Sequence, residues 1–403
     1  MYERKKVIIY YHKDNRYSFN PLIPIIENHF ELLFAKDEEL LLNLIKTLEG
    51  EKLILFSFFT TQIFAIKEII KKIKELKIKD IFLFAGGPHP TGRPQEVLNL
   101  GFDYVVVGEG EYLILELLKK KPNNKIVSGK NVMNLDEFLP FSEKYKKFGP
   151  IEISRGCPFG CSFCQTPFIF GFKMRHRSIG NILKLVAILI KNNKRDIRFI
   201  TPNALAYGSL DGKTINYHLL EELLKNIRNL IKDKGRIFFG TFPSEVRPEF
   251  VNEETCQLIK RYCDNDNLVI GAQSGSERLL KILNRGHNVS SLYQATEITI
   301  KNNLKPNLDF IFGFPSETEE DIKETIKVIK DLTKMGAKIH LHTFIPLPQT
   351  PLFKMGLIDY KMNEELIKLI KELLPKGKIY GQWEKQWQIR KKLVEFYKNI
   401  DLE

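Results

Sequence analysis

Cys157-Pro158-Phe159-Gly160-Cys161-Ser162-Phe163-Cys164 sets three thiols in a C-x3-C-x2-C spacing, with an aromatic residue directly before the last one. Thiolates are the usual ligands of iron–sulfur clusters, and a [4Fe–4S] cube normally takes four of them. Three leave one iron without a protein ligand, and an open metal position is where a substrate or cofactor binds. Two blander readings compete: three buried structural thiols, or a zinc knuckle. Zinc asks for a fourth Cys or His at close spacing, and the next histidine, His176, lies twelve residues beyond Cys164. The spacing therefore favours a cluster held by Cys157, Cys161 and Cys164.

Outward from this motif the chain alternates between β-rich and helical patterns, which points to α/β architecture. Strand-like runs fall at 150–154, 197–201, 236–240, 268–272, 307–312 and 338–344. Helical patterns lie between them at 179–191, 216–232, 277–284 with 290–302, and 319–333. Six such units predict a partial (β/α)6 TIM-type barrel, short of the full eight. Chemistry in such barrels sits at the carboxyl ends of strands, and the cysteine loop follows the first one.

The first third carries six more apolar runs, at 6–11, 30–34, 53–58, 81–85, 104–107 and 125–127, with helical patterns at 37–48, 60–76, 94–100 and 111–120. Near-continuous apolar strands with helical crossovers predict a Rossmann-like, doubly wound parallel sheet with a ligand at the carboxyl ends of its strands. Those ends carry Ser57, Thr60, Thr61 and Gln62, then Gly86-Gly87-Pro88-His89, then Gly108-Glu109-Gly110-Glu111. Glycine lets a backbone approach a ligand closely, and a following helix start can receive a phosphate or amide. Ordinary βα-turn chemistry is the competing explanation. The expected layout is a first domain over 1–135, a linker over 136–148, the barrel over 149–345 and a helical extension over 346–403.

Composition fits a cytoplasmic enzyme. Of 403 residues, 43% are hydrophobic, enough for real cores, and five cysteines do not make a disulfide framework. The apolar run near the start is too short for a signal peptide, and the one over 53–66 is broken by Thr60, Thr61 and Gln62, so no membrane span is expected. The net charge of +13 comes mainly from lysines spread along helices such as 67–79. Solvated helix faces, as in a thermophile's Lys/Ile/Glu-rich chain, account for it. Without aromatic–basic interleaving, nucleic acid is not the expected partner.

The cysteine motif resembles the signature of the radical S-adenosylmethionine (SAM) enzymes, which implies a [4Fe–4S] cluster whose open iron chelates SAM and cleaves it to a 5′-deoxyadenosyl radical. The run from Ala85-Gly86-Gly87-Pro88-His89-Pro90 to Val107-Gly108-Glu109-Gly110-Glu111 resembles the cobalamin-binding domain of the B12-dependent subclass, in a methanogen-type, archaeal group. That implies cobalamin contacts from the three loops quoted above. The Asp-x-His-x-x-Gly pattern of other cobalamin proteins is missing after the first strand, where His12-Lys13-Asp14-Asn15 stands. At 87–92, glycine replaces the Asp. Base-off cobalamin without a His ligand is therefore expected, with His89 a loop hydrogen-bonder. Further matches imply the SAM contacts. Phe163 would flank adenine. Ile200-Thr201-Pro202-Asn203 stands where the family grips SAM's amino group, so Thr201 and Asn203 are candidates. Gly271-Ala272-Gln273-Ser274-Gly275-Ser276 and its continuation offer Gln273, Ser274 and Arg285, with Gln273 where many relatives have Glu. The run Asp309-Phe310-Ile311-Phe312-Gly313 offers Asp309, Ile311 and Gly313.

Alternation on the last strand places His340 and His342 on one face, as substrate-cavity candidates or as structural residues. Cys256 and Cys263 read as buried, inert thiols. The aromatic-containing extension after Pro346 reads as a cap over the barrel mouth or as a packing appendage. Combined, the resemblance implies a radical SAM methyltransferase that uses methylcobalamin to methylate an unactivated carbon. Its implied acceptor is a protein or peptide, with a glutamine Cα or another residue of methyl-coenzyme M reductase as a candidate. A ferredoxin or flavodoxin would donate electrons. Alternatives are a methylthiotransferase of tRNA or ribosomal protein, a B12 radical SAM rearrangement or cyclisation enzyme, and a cobalamin or SAM sensor.

Overall fold

Runs of Ile, Leu, Val and Phe in the first third become six parallel strands: β1 (Lys6–Tyr10), β2 (Glu31–Ala35), β3 (Lys52–Ser57), β4 (Ile81–Gly86), β5 (Tyr104–Val107) and β6 (Ile126–Ser128). They lie in the order β2-β1-β3-β4-β5-β6. The computed structural model describes residues 5–129 and 133–398, which divide into two units between Gly149 and Pro150. In the first unit, central β3 is buried along its whole length, as a strand covered on both faces must be. Helix Ile63–Glu75 turns Ile63, Ile66, Ile69, Ile70 and Ile73 inward at helical spacing. Helix Glu38–Thr47 starts where the Asp37 carboxylate accepts the Leu40 N–H at 2.9 Å. The order reverses direction between β1 and β3, so a ligand crevice is expected at the carboxyl ends there.

Residues 133–148, most of which fall in the expected linker, fold against this same unit. Ser142 donates its hydroxyl to Glu27, and Tyr145 Oη accepts the Leu32 N–H at 3.2 Å. Residues 130–132 of the expected first domain, like residues 1–4 and 399–403, lie outside the described residues.

The second unit begins with β7 (Ile151–Glu152) and a small antiparallel hairpin, β8 (Ser154–Arg155) with β9 (Arg175–His176). Then come β10 (Asp196–Ile200), β11 (Arg236–Phe238), β12 (Asn267–Gln273), β13 (Lys305–Phe312), β14 (Lys338–Thr343) and β15 (Ile379–Tyr380). Two parallel arcs, β11-β10-β7 and β12-β13-β14-β15, are joined by backbone bonds: Val269 N–H to Gly240 O at 2.9 Å, Val246 N–H to Val269 O at 2.8 Å and Gly271 N–H to Val246 O at 2.9 Å. Strands β7, β10, β11, β12, β13 and β14 thus follow one another around an open, six-stranded partial barrel. The expected first strand over 150–154 is shorter, because the chain leaves the barrel after Glu152 to form the hairpin that frames the cysteine loop.

Helix Glu319–Met335 starts at a capping box formed by Thr318 and Asp321. The buried Asp321 carboxylate also accepts from Ser276 Oγ at 2.6 Å and from Arg278 Nε at 3.1 Å, which ties the loop after β12 to this helix. Helices Glu364–Leu373 and Trp383–Lys398 make up most of the C-terminal extension, and β15 adds beside β14. No helix among the described residues is long and apolar enough to cross a membrane.

Candidate active site at the barrel mouth and ligand cradle of the first unit

The cysteine loop runs from β8 to the short helix Thr166–Phe170 and is pinned at several points. Gly156 (φ +85°) takes a conformation that residues with a side chain rarely adopt, and an added Cβ would in addition lie 2.3 Å from Lys173 O. Cys157 N–H donates to Gly171 O at 3.1 Å, and Cys164 N–H to Cys161 O at 3.0 Å. Ser162 N–H reaches Leu283 O at 3.0 Å, and Asn284 Nδ2 donates to Phe159 O at 2.7 Å. The Leu283-Asn284 stretch therefore clamps the loop from across the barrel.

All three thiols line one cavity of about 350 Å³, within the range of small-molecule sites. Burial pushes the Cys157 thiol up to about 11 and raises that of Cys164, so neither is a thiolate in the bare protein. Loading a metal there must release protons. Arg285 Nη1 lies 3.3 Å from Cys161 Sγ, and Arg247 Nη1 3.9 Å. Both arginines are buried, and among the described residues no carboxylate pairs with Arg285. A buried cation without a counter-charge is costly. An anionic cluster on the three thiolates supplies that charge, so the donor set fits an iron–sulfur cluster.

Of the residues the resemblance implies for SAM, Phe163, Thr201, Gln273, Arg285 and Asp309 line this cavity. Gln273 sits at a bulge in β12 with φ +71°, and its buried Oε1 has no partner. A strained residue presenting an unsatisfied acceptor fits a ligand hydroxyl. Asn203 lies beneath, with Oδ1 accepting the Arg247 N–H at 3.4 Å. Ser274 is turned away, its hydroxyl 3.2 Å from Thr325 Oγ1. Ile311 packs beside Phe163, Phe314 and Phe344 rather than lining the cavity. Glu152, Arg155, Glu245 and Arg247 line it without any local motif to announce them. Of these, only the Ser-Glu-Val-Arg-Pro run after β11 offers a signal, two charges where an apolar strand has just ended.

Gly313 (φ +87°) is held from both sides: Glu317 accepts its N–H at 2.6 Å, and the buried Arg390 of the C-terminal helix donates to its carbonyl. Burial pushes the Glu317 carboxyl up to about 8, against the pull of the Gly313 N–H and of Arg390. A carboxyl raised in the folded state weakens the fold as pH climbs from its ordinary value near 4.5 toward 8. Glu317→Gln should remove that slope, leaving the variant more stable than wild type at pH 8.5 by a few kcal/mol at most, at about 1.4 kcal/mol per pKa unit. At pH 5 the advantage should vanish. Melting curves of both proteins across this range check it, and parallel curves would sink the assignment.

Asp309, His340 and His342 converge at the same strand ends. Asp309 Oδ1 is 3.0 Å from His340 Nδ1, which is 3.1 Å from His342 Nε2. Burial pushes the Asp309 carboxyl up, but hydrogen bonds from both histidines outweigh it and hold the group below its ordinary range. Tyr380 stacks on His340 with ring centres 4.6 Å apart. Gln386 takes the Thr343 N–H on its oxygen at 2.9 Å, so its amide nitrogen faces His342 Nδ1 at 3.1 Å. A metal-bound histidine donates its other N–H outward. Here that nitrogen accepts from Gln386, while the ligand atoms of Asp309, His340 and His342 lie within 4.8 Å of one another. Cys256 is buried on helix Glu253–Tyr262, and Cys263 caps that helix.

In the first unit the expected loops share the carboxyl edge of the sheet. Gly87 (φ +94°) lies so close to β3 that an added Cβ would sit 2.5 Å from Ser57 Oγ and 3.2 Å from Phe58 N. The buried Ser57 hydroxyl has no partner, which fits a ligand's polar group. Thr61 is exposed, and Gln62 Oε1 accepts the Phe59 N–H at 2.9 Å. Gly86 ends β4, and Pro88 starts the next short helix. Fully buried His89 holds Nδ1 3.1 Å from Thr60 Oγ1, while its Nε2 faces the Glu96 carboxylate at 3.4 Å without a hydrogen bond. Gly108 N–H reaches Thr91 Oγ1 at 3.1 Å, with Gly110 following. Glu109 and Glu111 are buried, and Glu109 Oε2 accepts the Met133 N–H at 3.2 Å.

Residues 151–329 match the radical SAM superfamily, and residues 34–118 match the B12 binding domain. An uncharacterized protein of Methanocaldococcus jannaschii is 27% identical, over 79% of this chain and 73% of that one. An uncharacterized methyltransferase of Pyrococcus horikoshii is 28% identical, over 73% of this chain and 66% of its own. A tRNA-2-methylthio-N(6)-dimethylallyladenosine synthase of Sulfurihydrogenibium sp. is 31% identical, over 60% of this chain and 52% of its own. The chain thus spans between about half and three quarters of the length of these relatives. Its fold matches that of the radical S-adenosylmethionine methyltransferase TsrM of Kitasatospora setae, solved with cobalamin and a [4Fe–4S] cluster. The TM-score is 0.64 at 15% identity, over 87% of this chain and 77% of that one.

Proposed function

We propose that this chain, whose residues 34–118 match the B12 binding domain and residues 151–329 the radical SAM superfamily, is a cobalamin-dependent radical SAM C-methyltransferase. The observation that carries this reading is the cavity in which three thiols meet two buried guanidiniums. When bound, the cluster supplies an electron to cleave SAM, and cobalamin supplies a methyl group to a carbon too inert for ordinary alkylation.

The chain's own residues do the rest. Cys157, Cys161 and Cys164 would hold the cluster, which would supply the electron for SAM cleavage. Gln273 Oε1 offers an acceptor to the ribose, and Phe163 an apolar face to adenine. Asp309, His340 and His342 hold the acceptor substrate at the strand ends. Gly87 and Ser57 form the cobalamin cradle of the first unit. Base-off cobalamin without a His ligand is proposed because His89, the histidine of that cradle, is fully buried, with Nδ1 on Thr60 and Nε2 turned to the Glu96 carboxylate. The acceptor is proposed to be a protein or peptide, with a glutamine Cα of methyl-coenzyme M reductase the first candidate. A ferredoxin or flavodoxin in the cytoplasm would supply the electron.

Methylthio transfer is the second reading, favoured by the 31% identity to a synthase of that class. Against it, residues 1–156 of this sequence contain no cysteine. Anaerobic reconstitution with iron, sulfide and hydroxocobalamin, followed by incubation with methyl-deuterated SAM and candidate peptides, tests the proposal. A labelled methyl group on peptide carbon is the expected product. Deoxyadenosine without a methylated product would move the chain to the rearrangement enzymes, and a cluster with no retained cobalamin would end the methyl-transfer reading.

A further inference from the structure

Arg247 and Arg285 bring two buried guanidiniums to one sulfur, and neither has a nitrogen left idle. Arg285 gives Nε to His287 Nε2 at 3.2 Å, Nη2 to Gly271 O at 2.7 Å and Nη1 to Cys161 Sγ at 3.3 Å. Arg247 gives Nε to Glu249 Oε1 at 2.5 Å, Nη2 to Arg285 O and Nη1 to Cys161 Sγ at 3.9 Å. Its guanidinium also lies flat on Phe159, 3.4 Å from the ring centre, inside the cysteine loop. Arg285 holds the carbonyl of β12, and Arg247 holds the carbonyl of Arg285. The fork is therefore locked by backbone before any ligand arrives, with both charges aimed at Cys161.

Nearby His287 cannot share this charge: burial first, then the two arginines, pull its imidazole down to about 3, so it stays neutral. Glu249 offsets one positive charge at most.

We infer that Arg247 and Arg285 are positioning residues that act through Cys161 to raise the reduction potential of the cluster, rather than gripping SAM's carboxylate. The inference rests on the cluster reading proposed above. Hydrogen bonds to cluster sulfurs and net local charge are what set such potentials. The step is a one-electron reduction: a low-potential donor such as flavodoxin or dithionite loses the electron, and the cluster gains one negative charge beside the two cations. The reduced state is stabilised more than the oxidised one, because attraction grows with the added charge and the site is screened from water. Two cations on one sulfur would also place the gain on the Cys161 side of the cluster.

Redox-poised electron paramagnetic resonance on the full-length, anaerobically reconstituted protein tests this. At the poise where half the wild-type cluster is reduced, Arg285→Gln and Arg247→Gln should each lower the ratio of reduced to oxidised cluster about tenfold, or 59 mV for one electron. Iron and sulfide content should stay at the wild-type level, and added SAM should still alter the reduced signal. Arg→Lys at either position keeps the charge without the fork and should give a smaller drop. Unchanged potentials with full cluster content overturn the inference. So does loss of the SAM response at unchanged potential, which would return the arginines to SAM's carboxylate. If a Gln variant fails to hold a cluster, the Lys variants decide: a partial drop supports the role and none overturns it. A wild-type protein that assembles no cluster would instead refute the radical SAM reading itself.

Discussion

Cys161→Ala protein, reconstituted anaerobically, should retain less than about a tenth of the wild-type [4Fe–4S] absorbance and should cleave no measurable SAM. Three thiolates already leave the cube one ligand short of its usual four. Removing a second ligand exposes another iron, and the cluster is lost rather than weakened. Cys161 is the costliest of the three to remove. It is 5% exposed, and it is the sulfur against which both Arg247 and Arg285 are set. Without it, both buried guanidiniums lose the sulfur that accepts from them, and leaving a buried donor unsatisfied costs about 1–3 kcal/mol. The variant should therefore melt earlier than Cys157→Ala, even with no cluster in either protein. Residues that act as a unit do not add, so the single, double and triple Ala variants should be equally dead in SAM cleavage. Iron analysis and the yield of 5′-deoxyadenosine measure both points. A Cys161→Ala protein that kept half its iron and still cleaved SAM would show that the three thiols do not act together.

Most of this arrangement is written locally, and the rest is not. Apolar runs mark central strands such as β3, buried along its whole length, while β13 and β14 are marked by alternation, with polar residues on one face. The cysteine spacing marks the cluster loop just as locally: all its ligands lie within eight residues. Arg247 and Glu245 carry no such mark. They reach the cavity because β11 ends at Phe238 and the chain returns to bond β12 through Val246, a pairing between neighbouring strands that no local period encodes. Gln386 is more remote still, 43 residues beyond the Thr343 whose N–H it takes. Ser274 shows the converse. It sits in the SAM-like run beside Gln273, but successive residues of an extended chain point to opposite sides, here one into the cavity and one to Thr325. Adjacency in a motif therefore does not bring two side chains into one site.

Gly87→Ala should strip the first unit of cobalamin and destabilise it before any effect on the barrel is seen. At φ +94° and ψ −172° the backbone occupies a region that is essentially glycine's alone, and holding another residue there costs about 1–3 kcal/mol. The added methyl then meets Ser57 Oγ at 2.5 Å, Phe58 N at 3.2 Å and Phe58 O at 3.4 Å. Ser57 can rotate, but the Phe58 backbone cannot withdraw: its N–H donates to Gly86 O at 3.3 Å and its carbonyl accepts the His89 N–H at 3.2 Å. Relief therefore has to come from parting β3 from β4 at the edge where the ligand is proposed to sit. A combined loss of about 3 kcal/mol lowers the melting point of a domain this size by roughly 6–12 °C. Cobalamin binding should fall further than stability does, because the displaced atoms, Ser57 Oγ and the Gly87 backbone, are the ones assigned to the ligand. Gly50 supplies the control. It also has positive φ, at +69°, but nothing lies within 4 Å of its added Cβ. Gly50→Ala should pay the backbone strain alone and keep its cobalamin. Equal cobalamin retention in the two variants, measured by absorbance after gel filtration, would place the ligand away from the β3–β4 edge.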